Sequence, residues 1–424
     1  METAQTNIQS GTLLLISQNK NKDCISAKKA EFIQKTTGIS TETSGFQTEL
    51  DLWVSQHPRQ WWSTIWNTCC IKGDPGTIQV DQDPQPASPA EIFANARLNI
   101  AENLLDFGPW VDLVMTAWAE DGPRQILSRG RLKEIAGRFA TGFVGLGLVP
   151  GDMVVLNLPN TPEKAAAFFG ACWAGLIPIF DPPETAIGKI ADRPWISLKP
   201  KLILSPDGYR RNGQWIDCAD VLREAGRGLG FDMQVLAIPC AGSKSNVQNL
   251  PGIFAWEKFA RMGRGGGCGY QYVSFDHPMA LLPDGKAGYL EIKTGDWVLS
   301  ALEKWVLDIE SRPEQTSFVA NVEDQADWLF ALAALATGGD IVIYDGHANA
   351  MNGQVIWRIL EREQVFIVGI HLNQIAELQR AKIFPSDHHQ LSEVKCAFLT
   401  KEASVKDTRF LQEHCFAEAV IKKI

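Results

Sequence analysis

Short apolar runs alternate with segments of helical period through most of this sequence, and that alternation decides the class of fold. Residues 132–145 carry Ile135, Phe139 and Phe143, with Leu146 just beyond, at the spacing of one helix face. Residues 147–151 turn, and 153–158 read as a buried strand. Pro159, Asn160, Thr161 and Pro162 then supply a turn, an N-cap and a proline at the first helical position. Ala165, Phe168, Phe169, Cys172 and Trp173 follow at helical spacing. Further strands are expected at 177–180, 201–204 and 233–238. After 275 the rhythm resumes, with helices expected over 297–309, 324–337, 350–362 and 372–380. Strands are expected at 340–344, 365–370, 394–399 and 419–424. This is βαβ order: an α/β chain of two tandem subdomains, each a mostly parallel sheet flanked by helices. The expected division is an N-terminal arm and linker over 1–89, a first subdomain over 90–274 and a second over 275–424.

The ends of the chain and its composition narrow the function classes. The 424 residues are 45% apolar and 21% charged, an ordinary balance for a packed core. The net charge of −9 argues against nucleic acid or an anionic membrane as partner, since both require clustered Lys and Arg. Residues 13–16 are too short for a signal-peptide core, and no run is long enough to span a bilayer. Nine cysteines, with no C-x-x-C, fit neither a disulfide framework nor a zinc site. A reduced, cytoplasmic protein is expected. Trp53, Trp61, Trp62 and Trp66 are expected to dock a helical arm, spanning about 46–70, onto the body. Residues 263–269 (GRGGGCG) match no phosphate-loop pattern and read as a linker. His388-His389 lacks spaced partners, so no metal site is expected, and no G-x-S-x-G elbow occurs.

Several short stretches carry a family resemblance. They are Ala96-Arg97-Leu98-Asn99 with Ala101-Glu102-Asn103-Leu104-Leu105, Gly151-Asp152 with Leu158-Pro159-Asn160, and Leu198-Lys199-Pro200-Lys201. Asp207-Gly208-Tyr209, Phe275-Asp276-His277-Pro278 and Tyr344-Asp345-Gly346 complete the set. Their order and spacing resemble the large N-terminal domain of acyl-adenylating enzymes, in the acetoacetyl-CoA synthetase branch. The resemblance covers roughly residues 50–400 and implies that fold. It also implies activation of a carboxylate with ATP and transfer of the acyl group to coenzyme A. That chemistry requires a hydroxyl-rich loop ending in Lys around the phosphates, a wall of small residues against adenine, an acidic magnesium segment and a lysine on a C-terminal domain.

The sequence departs from the family at each of these. After Pro278 the loop is replaced by residues 279–291, which contain no Ser or Thr. Pro283 removes a donor, Asp284 sets a carboxylate against phosphate, and Gly285, Lys286 and Gly288 remain in a different order. Residues 398–404 bring bulk and charge where the family is small. The sequence ends at Ile424, before the magnesium segment and the C-terminal domain, so that domain is expected to be absent. ATP and magnesium are therefore not expected to bind, and no cofactor is expected. A coenzyme A thioester remains possible as substrate.

The expected site is the acyl pocket between the layers, at the strand ends. His371 stands there where the family has a small hydroxyl residue, and Glu323 and Asp324 replace a Thr/Gly segment. These three are the catalytic candidates, for acid/base work on a carbonyl compound. Trp328, Gly369 and Asn373 are the substrate-binding candidates. Each also has a plainer reading: His371 as a helix cap, and Glu323 and Asp324 as carboxylates opening a helix. His277 and Asp345 read as structural. Three functions stay open: an enzyme acting without ATP on an acyl or β-keto substrate by cyclisation, condensation or dehydration; a non-catalytic binder of an acyl ligand or partner protein, or a homo-oligomer; and a ligase half completed in trans.

Overall fold

The computed structural model describes residues 29–42, 45–78, 87–183, 190–228, 231–240, 251–254, 256–263, 267–286, 288–320, 324–347, 350–399 and 404–423. The N-terminal helices are α1 (Lys29–Thr37), α2 (Phe46–Gln56) and α3 (Pro58–Thr68). The single helical stretch expected after 46 is broken at His57-Pro58, because a proline is accepted at a helix start and not in its interior. Trp61 and Trp66 are buried and Trp53 and Trp62 pack against the core. Trp66 stacks on Phe93, and Phe93 stacks on Phe275. The arm is thus fixed to the first residue of the Phe275–Pro278 tetrapeptide by a column of rings.

The strands, in chain order, are β1 (Gly73–Asp74), β2 (Arg97–Leu98), β3 (Leu113–Ala119), β4 (Gly122–Ser128), β5 (Met153–Leu156) and β6 (Ile177–Phe180). They continue as β7 (Leu202–Pro206), β8 (Gly208–Arg211), β9 (Gln214–Asp217), β10 (Gln234–Ile238), β11 (Ile253–Phe254), β12 (Val273–Ser274) and β13 (Pro278–Pro283). The last are β14 (Tyr289–Lys293), β15 (Thr316–Val319), β16 (Asp340–Asp345), β17 (Ile367–Ile370), β18 (Cys396–Leu399) and β19 (Val420–Lys423). Two seven-stranded sheets dominate, in the orders β11-β10-β7-β5-β6-β13-β14 and β19-β18-β17-β15-β16-β3-β4. All neighbours are parallel except the edge hairpins β13–β14 and β3–β4. The interior strands are apolar on both faces, as parallel sheets covered by helices require.

Each sheet takes a hairpin from the other half of the chain. β3–β4, early in the sequence, closes the second sheet, and β13–β14, after residue 274, closes the first. The β3–β4 hairpin had no counterpart in the sequence reading. Between the sheets lie α4 (Arg129–Gly145) and α5 (Pro162–Trp173), which pack closely on each other. A Cβ at Gly170 would strike Phe139, so glycine sets how near the two helices approach. All residues of α5 but Glu163 are buried, which makes it a helix of the interior rather than of a surface. Later helices are α6 (Thr294–Glu303), continued by a π-helical turn Lys304–Asp308, then α7 (Gln325–Leu332) and α8 (Leu372–Ala381). The described part of the glycine-rich segment is seated: Cys268 N–H donates to Thr141 Oγ1 (3.4 Å) and its carbonyl accepts from Trp173 Nε1 (2.9 Å). Among the described cysteines, seven are free thiols. Cys70 departs from the expectation of thiols throughout and is disulfide-bonded.

Candidate functional site

The segment expected to stand in place of a phosphate loop is a hairpin turn between β13 and β14. Asp284 Oδ1 accepts the backbone N–H groups of Lys286 (2.7 Å) and Gly288 (2.9 Å). The Asp284 N–H donates to the Gly288 carbonyl (3.1 Å), and Gly285 takes a φ of +75°, which the turn requires and glycine permits. The two N–H bonds hold the Asp284 carboxyl below the usual carboxylate range. A phosphate loop works by aiming unpaired N–H groups at the anion. Here the chain's own Asp284 carboxylate takes the N–H groups of Lys286 and Gly288. Phe398, where the family is small, is fully buried edge-on to Trp305 and Phe330. Residues 400–403 lie outside the described ones, and Ser404 caps the following helix.

The catalytic candidates sit at the carboxyl ends of two adjacent strands, β15 and β17, both engaged in capping. His371 Nδ1 accepts the Asn373 N–H (3.1 Å), and the His371 N–H donates to Gln374 Oε1 (3.2 Å), closing a capping box at the start of α8. Gln374 Nε2 donates to the Ala320 carbonyl (2.9 Å), tying α8 to the end of β15. A ring accepting at Nδ1 carries its proton at Nε2. Asp324 Oδ1 accepts the N–H groups of Ala326 (2.8 Å) and Asp327 (3.3 Å) and caps α7. Glu323 lies outside the described residues. Gly369 passes over the Phe398 ring, which a Cβ would approach to 2.6 Å, and Asn373 is exposed on the first turn of α8.

Trp328 does face a polar group, and one that sequence reasoning missed. Lys164, on the first turn of α5, is fully buried. Its Nζ donates to Asn160 Oδ1 (2.7 Å) and Gln325 Oε1 (2.6 Å), and lies 4.5 Å from the Trp328 ring centre and 5.3 Å from that of Phe180. One lysine therefore bridges the two sheets' helices, through amide oxygens and aromatic faces that favour a cation. The available signal was a charged residue heading an otherwise apolar helix, which also describes an ordinary first turn.

Beside Lys164 opens a cavity of about 340 Å3, where the carboxyl ends of β3, β5 and β16 converge from the two sheets. Its polar lining includes Arg124, Asn160, Thr161, Glu163, Arg210 and Asp345, with Tyr209 and Cys240 beside them. His371, Asp324, Trp328, Gly369 and Asn373 are not part of that lining. Burial pushes the Glu163 carboxyl above the usual carboxylate range. The Cys240 thiol is pushed well up, by burial first and then by the carboxylates of Glu163, Asp207 and Asp345, so it is no ready nucleophile. One wall is clamped: Glu120 accepts the N–H groups of Asn212 (2.8 Å), Gly213 (2.7 Å) and His347 (3.1 Å). This fastens the tip of the β8–β9 hairpin, which carries Tyr209 and Arg210, to the end of β16.

Among the described residues no group of three or more His, Cys, Asp or Glu is placed to share a metal ion, and no helix is long and apolar enough to cross a membrane. No protein-family model matches the chain. The chain is similar to acetoacetyl-CoA synthetase of Gallus gallus, with 25% identity over 357 residues, 81% of this chain and 53% of that protein. The acetoacetyl-coenzyme A synthetase of Rhizobium meliloti is likewise 25% identical, over 354 residues, with the same coverage. The acetyl-coenzyme A synthetase of Chlorobaculum tepidum is 25% identical over 291 residues, 66% of this chain and 43% of that protein. Among solved structures, the acetoacetyl-CoA synthetase from Streptomyces lividans superposes with a TM-score of 0.78 at 22% identity, over 95% of this chain and 64% of that one. The chain spans about half the length of the curated relatives it matches. In sequence the chain is thus similar to acetoacetyl-CoA synthetases, and in fold it is similar to the acetoacetyl-CoA synthetase structure, which together support an acetoacetyl-CoA-synthetase-like domain.

Proposed function

We propose that this domain takes an acyl or β-keto substrate, as the free acid or as a coenzyme A thioester, and acts on it without adenylation. The observation that carries this reading is the Asp284 carboxylate on the N–H groups of Lys286 and Gly288. An anion already fills the turn, so phosphate would meet like charge and lose hydrogen bonds worth about 1.5–3 kcal/mol each. The substrate side is different. The cavity at the strand ends is of ligand size, lies where open sheets bind ligands, and is lined by groups able to hold or move protons. Acid/base chemistry on a carbonyl group is the reaction class this lining supports.

A non-catalytic binding role is favoured by one observation: His371 and Asp324 both serve as helix caps, which is a sufficient structural reason for each. One experiment separates the readings of the nucleotide and acyl sites. Thermal melting of the purified chain is followed with ATP and magnesium, AMP, coenzyme A and acetoacetyl-CoA. A ligand at a hundred times its Kd stabilises by about 2.7 kcal/mol, a readily measured rise in Tm. The expected outcome is a rise with acetoacetyl-CoA and none with ATP and magnesium. A rise with ATP would overturn the proposal and restore an adenylating role.

A further inference from the structure

We infer that Glu163 and Asp345 are the proton-transfer pair of the interlayer cavity, enolising the carbonyl compound bound there; this rests on the preceding reading of the cavity as the acyl site. The two carboxyls come from different sheets. Glu163 stands on the first turn of α5, next to the first sheet, and Asp345 ends β16 of the second. Both line the same cavity.

Each is held by its neighbours. Pro162 starts α5 and Lys164 is anchored between the layers by Asn160 and Gln325. Successive helical residues point about 100° apart, so fixing Lys164 inward leaves Glu163 turned to the cavity. Asp345 sits in the Tyr344-Asp345-Gly346 turn, where a Cβ at Gly346 would strike the Tyr344 hydroxyl. That close approach, with the Tyr344 hydroxyl donating to the His347 carbonyl (3.0 Å), fixes the turn. The Thr161 side chain opposes the effect of burial on the Glu163 carboxyl; Arg124, Tyr209, Arg210, Cys240 and Asp345 line the same cavity, and Lys164 follows on the same helix.

The two carboxyls face one cavity from opposite sheets, which is the placement an acid and a base acting on one bound carbonyl require. Burial favours the protonated form of Glu163, whose O–H is then able to donate. In the step proposed, the Glu163 proton passes to the carbonyl oxygen of the bound β-keto thioester. Asp345 takes a proton from the adjacent carbon, the C–H electron pair becomes the C=C bond of the enol, and the π pair of the carbonyl forms the new O–H bond. While the enol is bound, the proton on Asp345 exchanges with solvent; the reverse step then delivers a deuteron to that carbon and returns the other proton to Glu163, so nothing is consumed.

The test uses the purified chain and acetoacetyl-CoA in deuterated buffer. Deuterium uptake at the carbon between the two carbonyls is read by mass spectrometry against a protein-free control, and binding is read separately as a Tm shift. The wild type is expected to accelerate exchange by about a hundredfold, within the range of general acid/base catalysis. Glu163→Gln and Asp345→Asn should each lose at least about tenfold of this while keeping the Tm shift. The wild-type rate should fall as pH rises through the elevated Glu163 titration, and Glu163→Gln should not show that fall. Binding without acceleration, or variants that exchange like the wild type, would overturn the assignment and leave the acyl site standing. No Tm shift with acetoacetyl-CoA would remove the acyl site and this pair with it. Should Glu163→Gln fail to fold, Asp345→Asn and the wild-type pH profile decide the matter.

Discussion

Two carboxyl groups, Asp284 in the β13–β14 turn and Glu163 at the interlayer cavity, have been placed in opposite surroundings. Asp284 is exposed, accepts two backbone N–H groups and is held in its charged form. Glu163 is largely withdrawn from water and pushed toward its neutral form. The first closes a site by satisfying its donors from within the chain. The second stands at an open space, with burial raising its affinity for a proton. In the function proposed, the turn at Asp284 is ordinary structure, while the cavity beside Glu163 is where the chemistry is placed.

The largest test of that contrast strikes the floor of the acyl side. Lys164→Met keeps the volume of the stem but removes the buried ammonium that donates to Asn160 Oδ1 and Gln325 Oε1. It should lower stability by about 2–4 kcal/mol, read by urea denaturation, and should weaken acetoacetyl-CoA binding in the same protein. An unchanged midpoint would mean that the two layers do not depend on this bridge.

A second test asks whether any buried carboxyl would behave as Glu163 does. Glu303, at the end of α6, is pushed up to about 7 by burial and by Asp308, against the opposing pull of Lys29 and Lys304. It borders no cavity of the acyl site. Between the unfolded value of 4.5 and about 7 the folded chain holds a proton that the unfolded chain has released. This contribution to stability is therefore greatest below 4.5, declines as pH rises toward 7, and is level above it. Glu303→Gln should stabilise the chain by about 1–3 kcal/mol at pH 8 and by little near pH 4.5, measured as urea midpoints at the two pH values. Deuterium exchange of acetoacetyl-CoA should be unchanged. Loss of exchange in this variant would show that buried carboxyls in general, rather than Glu163, set the activity.

Fold and site differ in how far they could be read from residues alone. The apolar runs at 177–180 and 201–204 and the proline at Pro162 announce strands and a helix start by local rules, and the sheets contain them. The departure from the expected phosphate-loop pattern was also local, visible as Pro283, Asp284 and the absence of hydroxyls. What Asp284 does instead depends on the turn closing, which spacing alone does not reveal. The cavity is less legible still. Glu163, Tyr209 and Asp345 are far apart in sequence, and meet because β3–β4 joins the second sheet and Glu120 clamps a hairpin across it. His371 and Asp324 drew attention as titratable residues at strand ends. The same position calls for a helix cap, and capping is how both are engaged.

The smallest effect belongs to the turn. Asp284→Ala removes an acceptor from the N–H groups of Lys286 and Gly288 but leaves water able to replace it, so Tm should fall only slightly at neutral pH. The sign of its pH dependence is set by the lowered carboxyl. The stabilisation is present in full above the unfolded value of 3.8 and is lost as pH falls through the still lower folded one. Wild type and variant should therefore converge in strong acid, in melts taken at a series of pH values. The same protein shows whether Asp284 alone bars the nucleotide. Without the carboxylate the turn still lacks hydroxyls, and Pro283 still lacks an N–H, so ATP and magnesium should again leave Tm where it was. A rise in Asp284→Ala that the wild type does not show would mean that one carboxylate separates this domain from its adenylating relatives, and that the rest of the nucleotide side is intact.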